Sequence, residues 1–441
     1  MRPKLIIPYI ENQKKSYKYI AFLAGSVGTL FLYNISIIEY LSLIWFIFFR
    51  DYKHLHFLFR QNAAFTGLFY ISAFALLISD LINHTSIIVS LKGVVAYILL
   101  PTTTLFLLKF FDIYGLLILL LTSLTFNIFR NNDITAFGFT QESFKFGFSL
   151  LLVYTILLIP YLLSRSSFGK YLSSTLFSFC VATILVLLSF WGNLRLIALC
   201  AVLAFVIEKL DFSLLYRRVI RRIPASFSNI VISAILFPIV ILSISMVGSF
   251  LSTIILNNID LSLFSSDALS KTADQSSGSF GVIFGGRSEI FSSFLAWIEK
   301  PIFGWGSWAS DPNDSFRIAG LQLMTDLGYS NSDKFITLIH KLGSTGLIPT
   351  HSVLLNMLVW SGVLGFVPVY LVVSQLMRMI LAPALLRLNY CYPFYFSQVF
   401  CIWSFLFSPF GFTNRLNLTL FIAISIAYYC TKMDKAVIND I

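Results

Sequence analysis

The chain has 441 residues, of which 57% are hydrophobic, 17% are aromatic and only 12% are charged, and its formal net charge is +11. Ordinary soluble domains carry roughly 25% charged residues, so this composition excludes a water-facing globular surface. Apolar stretches of about 17 to 25 residues, the length a helix needs to cross a hydrocarbon core, recur along the chain. We therefore expect an all-α polytopic membrane protein.

The apolar stretches divide the chain into about 12 candidate transmembrane helices. The first two are short, and they favour either two spans with little tilt or a shallow hairpin. The predicted spans lie near residues 18–33, 36–49, 62–81, 85–107, 113–129, 146–164, 171–190, 193–207, 226–250, 352–374, 388–408 and 415–430.

A long polar segment separates two groups of predicted spans. Residues 1–251 form an N-terminal transmembrane bundle of about nine spans, and residues 351–441 hold about three more. The residues between them, 252–350, are rich in Asn, Asp, Ser and Gly and are far more numerous than those of an ordinary connection. We expect this segment to be partly helical and functional.

Basic residues predict which face of the membrane each connection occupies, because loops rich in Lys and Arg stay cytoplasmic. With the N-terminus inside, 20 of the 31 Lys and Arg residues fall on the cytoplasmic face, and segment 252–350 falls on the other. The basic cluster at 217–222 adjoins a span, where it meets anionic lipid. The net charge therefore gives no support to nucleic-acid binding.

His351 stands where segment 252–350 returns to the membrane, two residues after Pro349, which suits a helix start. In a regular helix, Gly362 and Gly365 lie within about 20° and 40° of His351 around the axis. Glycines on a membrane helix let a neighbouring backbone approach closely. The pattern predicts either a positioned histidine above a tightly packed helix, or a helix-packing motif with an incidental interfacial histidine.

A second motif lies upstream, in the stretch GGRSEIFSSFLAWIEKPIFGWGS, residues 285–307. Arg287 follows two glycines near its start. A Pro-x-x-Gly-x-Gly pattern, formed by Pro301, Gly304 and Gly306, lies near its end.

Together with His351, Gly362 and Gly365, this stretch resembles the O-antigen polymerase and O-antigen ligase superfamily. The resemblance covers the overall hydropathy plan and, at the level of residues, mainly 285–306 and 349–366. It implies a multi-pass enzyme of the bacterial inner membrane with a GT-C-like glycosyltransferase architecture. The long segment and the active site are then periplasmic.

Members of this superfamily transfer a glycan from undecaprenyl diphosphate to an acceptor hydroxyl. The acceptor is an incoming lipid-linked sugar in polymerases and the lipid A core in ligases. The implied partners are an undecaprenyl-diphosphate-linked oligosaccharide, membrane lipid, a chain-length regulator protein and a flippase. The resemblance implies no cofactor and no metal.

The resemblance assigns catalytic roles to His351 and Arg287. Arg287 is expected to grip the diphosphate leaving group, because a guanidinium offers a planar fork that matches phosphate oxygens. Its alternative is a surface ion pair with Glu289 or Glu299. His351 is expected to take the acceptor's proton or to orient that hydroxyl, since imidazole serves as a base near neutral pH.

Two further arginines are candidates for binding the diphosphate. Arg195 lies just inside the external end of the eighth predicted span, where it either binds the donor or snorkels to the interface. Arg415 lies at the external start of the last predicted span, where it either contacts the diphosphate or anchors the helix at the interface.

Other polar residues give weaker signals. Lys92 lies inside the fourth predicted span, and Asp80, at the end of the preceding span, is expected to neutralise it. Arg317 and His340, within segment 252–350, are candidates for lining an acceptor groove.

Two functional classes remain in view. A lipid-linked oligosaccharide transporter or flippase requires charges along a central path with access from both sides. The charged residues in the predicted spans, chiefly Glu39, Asp80, Lys92 and Arg195, map near the external end instead, which favours glycosyl transfer at the surface. Polymerase is preferred to ligase because the chain shows no ligase-specific pattern.

Overall fold

The structure is a computed structural model, and its described part is almost entirely helical. This confirms the expectation of a mainly α-helical protein. The described residues are 31–32, 35–48, 52–111, 113–130, 151–157, 175–191, 195–209, 242, 245–246, 249, 273–285, 287, 289–329, 346–381, 392–408 and 410–439.

The helices follow the order of the predicted spans, and the described part of segment 252–350 adds two longer helices and the four-residue helix Val282–Gly285. The longer helices are α1 (Ile37–Phe48), α2 (Tyr52–Ile82), α3 (Ile87–Phe110), α4 (Ile113–Arg130), α5 (Thr175–Trp191), α6 (Arg195–Lys209), α7 (Glu289–Glu299), α8 (Ser315–Asp326), α9 (Val353–Leu381), α10 (Tyr392–Phe407) and α11 (Phe412–Asn439).

Among the described residues, three helical stretches are long and apolar enough to cross a membrane. They are Phe65–Ile82 of α2, Ile87–Phe110 of α3 and Val353–Met377 of α9. The shorter apolar stretches belong to α1, α4, α5 and α11. The chain thus has membrane-protein character, whereas the total of 12 spans and the placement of each face stay predictions.

Helix α9 lies antiparallel to α2 in the centre of the bundle. The Ser79 hydroxyl donates to the Trp360 carbonyl at 2.6 Å, and the Ser72 hydroxyl donates to the Gly365 carbonyl at 3.1 Å. Residue numbers that rise along one helix while they fall along the other define the antiparallel direction. Small hydroxyl side chains allow this close approach, as is typical of membrane helices.

A short β-ribbon precedes α1. Strand β1 (Phe31–Leu32) pairs with β2 (Ile35–Ser36) in antiparallel register. The prediction of a span over 18–33 is therefore wrong at its last residues, because Phe31 and Leu32 are strand. The rest of that predicted span lies outside the described residues.

A buried ion pair joins the two ends of the described chain. The Nε of Arg415 in α11 lies 2.5 Å from Oε1 of Glu39 in α1, and a terminal guanidinium nitrogen donates to Oε2 at 3.0 Å. The same carboxylate accepts the backbone N–H of Ser36 at 2.8 Å and its hydroxyl at 3.0 Å. Both charged side chains are buried. The pair fixes α1 against the start of α11.

Helices α7 and α8 pack against each other through a small apolar cluster of their own, comprising Phe291, Leu321, Met324 and Tyr329. Asp311 caps α8, because its carboxylate accepts the backbone N–H groups of Ser315 at 2.8 Å and Phe316 at 3.0 Å. The Tyr329 hydroxyl donates to the Gly281 carbonyl at 3.1 Å. Burial raises the pKa of Tyr329, so this hydroxyl keeps its proton at neutral pH.

We expect the single change Arg415→Leu to destabilise the fold by about 3–5 kcal/mol, because it leaves the Glu39 carboxylate buried without its cation. The double change Glu39→Leu with Arg415→Leu should recover much of that loss, since no unpaired charge remains. Thermal unfolding of the purified protein in detergent measures both. Equal stability of Arg415→Leu and the wild type would contradict a structural role for the pair.

Candidate active site

The helix α9 is broken at Gly362. This residue has φ +60° and ψ −155°, a backbone conformation open essentially only to glycine. A break of this kind removes hydrogen-bond partners from the backbone groups on either side of it. Such groups need new partners when they lie within a membrane protein, because hydrocarbon offers none.

Residues 301–306, which we call the glycine turn, supply those partners. Trp305 donates its backbone N–H to the Val359 carbonyl at 2.8 Å, and Gly306 donates to the Trp360 carbonyl at 2.9 Å. In the opposite direction, the N–H of Val363 donates to the Pro301 carbonyl at 2.9 Å. The glycine turn is therefore inserted into the break in α9.

Two glycines make the insertion sterically feasible. A Cβ on Gly304 would lie 2.5 Å from the Val359 carbonyl oxygen and 2.6 Å from the Gly362 nitrogen. A Cβ on Gly362 would overlap the carbonyl groups of Pro301 and Ile302. The Pro-x-x-Gly-x-Gly pattern and Gly362 thus form one interlocked unit.

The break at Gly362 changes the predicted relation between His351 and the two glycines. His351 precedes α9, and α9 is interrupted at Gly362, so the angular relation between these residues in a regular helix does not apply. Gly365 has a different role from Gly362. A Cβ there would overlap the Ser361 side chain of the same helix, and its carbonyl accepts the hydroxyl of Ser72.

Asp80 holds the end of the glycine turn. Its Oδ1 accepts the backbone N–H of Ser307 at 2.5 Å, and its Oδ2 accepts the Ser307 hydroxyl at 2.8 Å. Among the described contacts, no ion pair joins Lys92 to Asp80. The Lys92 ammonium instead lies 5.5 Å from the centroid of the Trp308 ring.

Asn83, the first residue after α2, also binds the glycine turn. The side-chain amide of Asn83 donates to the Gly304 carbonyl at 3.1 Å, while its oxygen accepts the ammonium of Lys300 at 2.7 Å. That ammonium lies 4.1 Å from the centroid of the Trp305 ring. Polar contacts therefore hold the glycine turn from α2 as well as from α9.

His351 lies beside the start of α7. Its Nδ1 is 3.7 Å from Oε1 of Glu289, and half of the histidine side chain (50%) is exposed. This separation is an ion-pair contact when the imidazole is protonated and is longer than a hydrogen bond. The Ser293 hydroxyl donates to the Pro349 carbonyl at 2.9 Å, which ties α7 to the segment that carries His351.

Arg287 lies two residues before Glu289, in the turn that leads into α7. Its backbone N–H donates to the Phe284 carbonyl at 3.0 Å, and its own carbonyl accepts the backbone N–H of Ile290 at 3.1 Å. Among the described contacts, Arg287 forms no ion pair with Glu289 or Glu299. The alternative of a surface ion pair is therefore not found. The motif at 285–307 and the motif that begins at His351 meet through the contact between Glu289 and His351.

The other predicted site residues lie elsewhere or outside the description. Arg415 is buried and engaged by Glu39, and Arg317 forms a local ion pair with Asp314 at 2.9 Å. Arg195 is the first residue of α6, but its side chain lies outside the described residues, as does all of His340. Whether Arg195 contacts a donor stays a prediction.

Glu289 is the residue that sequence reasoning undervalued. The sequence suggests it only as a partner for Arg287, whereas the structure places it against His351. The sequence feature that points to Glu289 is its position two residues after Arg287. Within the described part of the chain, no group of three or more His, Cys, Asp or Glu side chains is arranged to hold a metal ion.

Comparisons of the chain with protein-family models, with curated proteins and with solved structures find no match.

We expect Gly362→Ala to destabilise the protein by at least about 1–3 kcal/mol, because the backbone conformation excludes a side chain and the added methyl group displaces the glycine turn. Gly67→Ala in α2 is the matched control. A Cβ at Gly67 meets nothing within 4 Å, so this change should be neutral or stabilising by up to about 1 kcal/mol. Thermal unfolding compares them, and equal effects would contradict the interlocked arrangement.

Proposed function

We propose that the chain is a membrane glycosyltransferase that polymerises a surface polysaccharide. It transfers a growing glycan from undecaprenyl diphosphate to the non-reducing-end hydroxyl of an incoming lipid-linked repeat unit. The observation that carries this proposal is the 3.7 Å contact between His351 and Glu289, two residues from Arg287 and beside the start of a helix long and apolar enough to cross a membrane.

His351 is the general base in this proposal. Glu289 faces Nδ1, which leaves Nε2 for the acceptor hydroxyl. A base oriented by a third group is a recurring arrangement in enzymes that activate hydroxyl nucleophiles. As the oxygen attacks the anomeric carbon, its proton passes to Nε2, and the nearby carboxylate stabilises the imidazolium that forms. The exposed half of the imidazole provides access for the acceptor.

Arg287 binds the leaving diphosphate in this proposal. The bond from the anomeric carbon to the phosphate oxygen breaks as the new glycosidic bond forms, so negative charge grows on that oxygen. The guanidinium of Arg287 is not committed to Glu289 or Glu299 among the described residues, and it remains charged at any working pH. The start of α7 adds a positive helix end immediately after it.

The finer architecture belongs to the same proposal. The protein has 12 spans, a GT-C-like arrangement and a periplasmic segment at 252–350, and it lies in the bacterial inner membrane. A flippase supplies its lipid-linked substrate, and a chain-length regulator protein is a partner. The apolar helices α2, α3 and α9 support the membrane location in general terms.

We expect His351→Ala to abolish polymer formation, because loss of a general base removes about 100- to 10,000-fold in rate. Glu289→Gln should reduce the rate less, since the base remains but loses its carboxylate. His84→Asn is the control, because His84 is an exposed histidine in a left-handed backbone conformation that Asn tolerates. The assay is the length of surface polysaccharide in cells that lack the chromosomal gene and express each variant.

The same cells separate the related functions. Without the protein, single repeat units that remain attached to the surface indicate a polymerase, whereas loss of all attached units indicates a ligase. Loss of lipid-linked units from the outer leaflet indicates a flippase. Long polymers made by a well-expressed His351→Ala protein would remove the proposed base.

We expect Arg287→Ala to weaken the binding of undecaprenyl diphosphate by roughly 10- to 100-fold, the range for losing hydrogen bonds to a charged group. Arg287→Lys should lose less, because the charge stays while the planar fork is lost. Titration of the lipid into the protein in nanodiscs measures the affinity. His351→Ala should bind this lipid like the wild type, and an unchanged affinity of Arg287→Ala would exclude the diphosphate contact.

A further inference from the structure

Trp308 has an unusual backbone conformation. Its φ is +54°, in the left-handed region, where a bulky side chain is rare and costs about 1–2 kcal/mol. Strain of this kind persists only where the surroundings hold the residue firmly, and it concentrates at ligand-binding positions.

Hydrogen bonds fix the chain on both sides of Trp308. On one side, Asp80 binds the backbone N–H and the hydroxyl of Ser307. On the other side, the Ala309 carbonyl accepts the backbone N–H of Ile348 at 3.0 Å, and Ser310 pairs with Leu347 in an antiparallel bridge. The backbone of Trp308 is thus fixed between two anchored neighbours.

The indole ring packs against Trp360 and is partly exposed. Its centroid lies 5.3 Å from that of the Trp360 ring, with an angle of 41° between the planes. The residue is nevertheless 39% exposed, and the Lys92 ammonium lies 5.5 Å from the ring centroid. The exposed part of the ring therefore has a cationic neighbour.

Trp308 and His351 flank the same backbone pairing. Ser310 forms an antiparallel bridge with Leu347, and the Ala309 carbonyl accepts the backbone N–H of Ile348 at 3.0 Å. Trp308 precedes Ala309 by one residue and His351 follows Ile348 by three, so this pairing ties together the two segments that carry them.

We propose that Trp308 is a stacking platform for a sugar ring of the lipid-linked glycan, with Lys92 beside it for an electronegative substituent of that sugar. This inference rests on the proposed function. A sugar ring presents a face of C–H bonds with partial positive charge, which complements the electron-rich face of an indole. The platform sets the position of the glycan relative to the base.

Lipid anchoring is the competing role of an exposed tryptophan in a membrane protein. An anchoring ring needs only to reach the interface, so it gives no reason for a strained backbone fixed by Asp80 and by Ile348. A cation against the ring also favours a polar ligand over lipid tails. The observations therefore favour the glycan.

The test compares two lipids on the full-length protein in nanodiscs. One is the lipid-linked repeat unit extracted from cells that lack the gene, and the other is undecaprenyl diphosphate without sugar. Trp308→Leu should weaken binding of the lipid-linked unit by about tenfold or more, as for other aromatic stacking contacts, and leave undecaprenyl diphosphate unchanged. Trp308→Phe should retain part of the affinity. Phe280→Leu, at a residue of matched exposure (40%), is the control that should bind both lipids normally.

Two binding results overturn the platform while the proposed function stands. One is equal binding of the lipid-linked unit by Trp308→Leu and the wild type, and the other is equal weakening for both lipids. A wild-type protein that binds neither lipid would instead overturn the proposed function itself. Fluorescence quenching by brominated acyl chains that is lost in Trp308→Phe would place the ring in the bilayer and also overturn the platform.

Discussion

The hydrogen bonds between the break in α9 and the glycine turn are the constraint on which the site depends. A helix interrupted at Gly362 leaves backbone groups that neither lipid nor side chains alone can satisfy. Residues 301–306 satisfy them from a distant part of the chain, and their glycines permit the approach. Because backbone groups make these bonds, they tie the glycine turn directly to the main chain of α9.

The candidate site residues lie around this interlocked unit of the glycine turn and α9. Helix α7 leads directly into the turn and carries Glu289 at its other end, beside His351. Trp308 follows the turn and is held by Asp80. His351, Glu289 and the exposed ring of Trp308 therefore share one support, an arrangement that keeps side chains in register. Arg287 lies next to this arrangement, because it precedes Glu289 by two residues.

Hydropathy predicts the helices well and their irregularities poorly. Spans expected near 62–81, 85–107 and 352–374 coincide with helices, because a long apolar run has one satisfied backbone conformation in lipid. The spacing of the glycines predicts a close approach of two backbones but not the break itself. The conformation of Gly362 depends on a turn some 60 residues earlier in the chain, and local patterns carry no information about it. For the same reason, local patterns do not predict the contact of Glu289 with His351 or the pairing of Arg415 with Glu39.

The distance in sequence between Glu39 and Arg415, 376 residues, has a consequence for biosynthesis. A ribosome adds about 5–20 residues per second, so the acidic group waits roughly 20 to 75 s for its cation to be synthesised. A carboxylate that is buried among apolar side chains without a cation is unfavourable by several kcal/mol. The nascent N-terminal part is thus incomplete until the last helix arrives. A chain truncated before residue 412 therefore lacks the cation for Glu39 altogether.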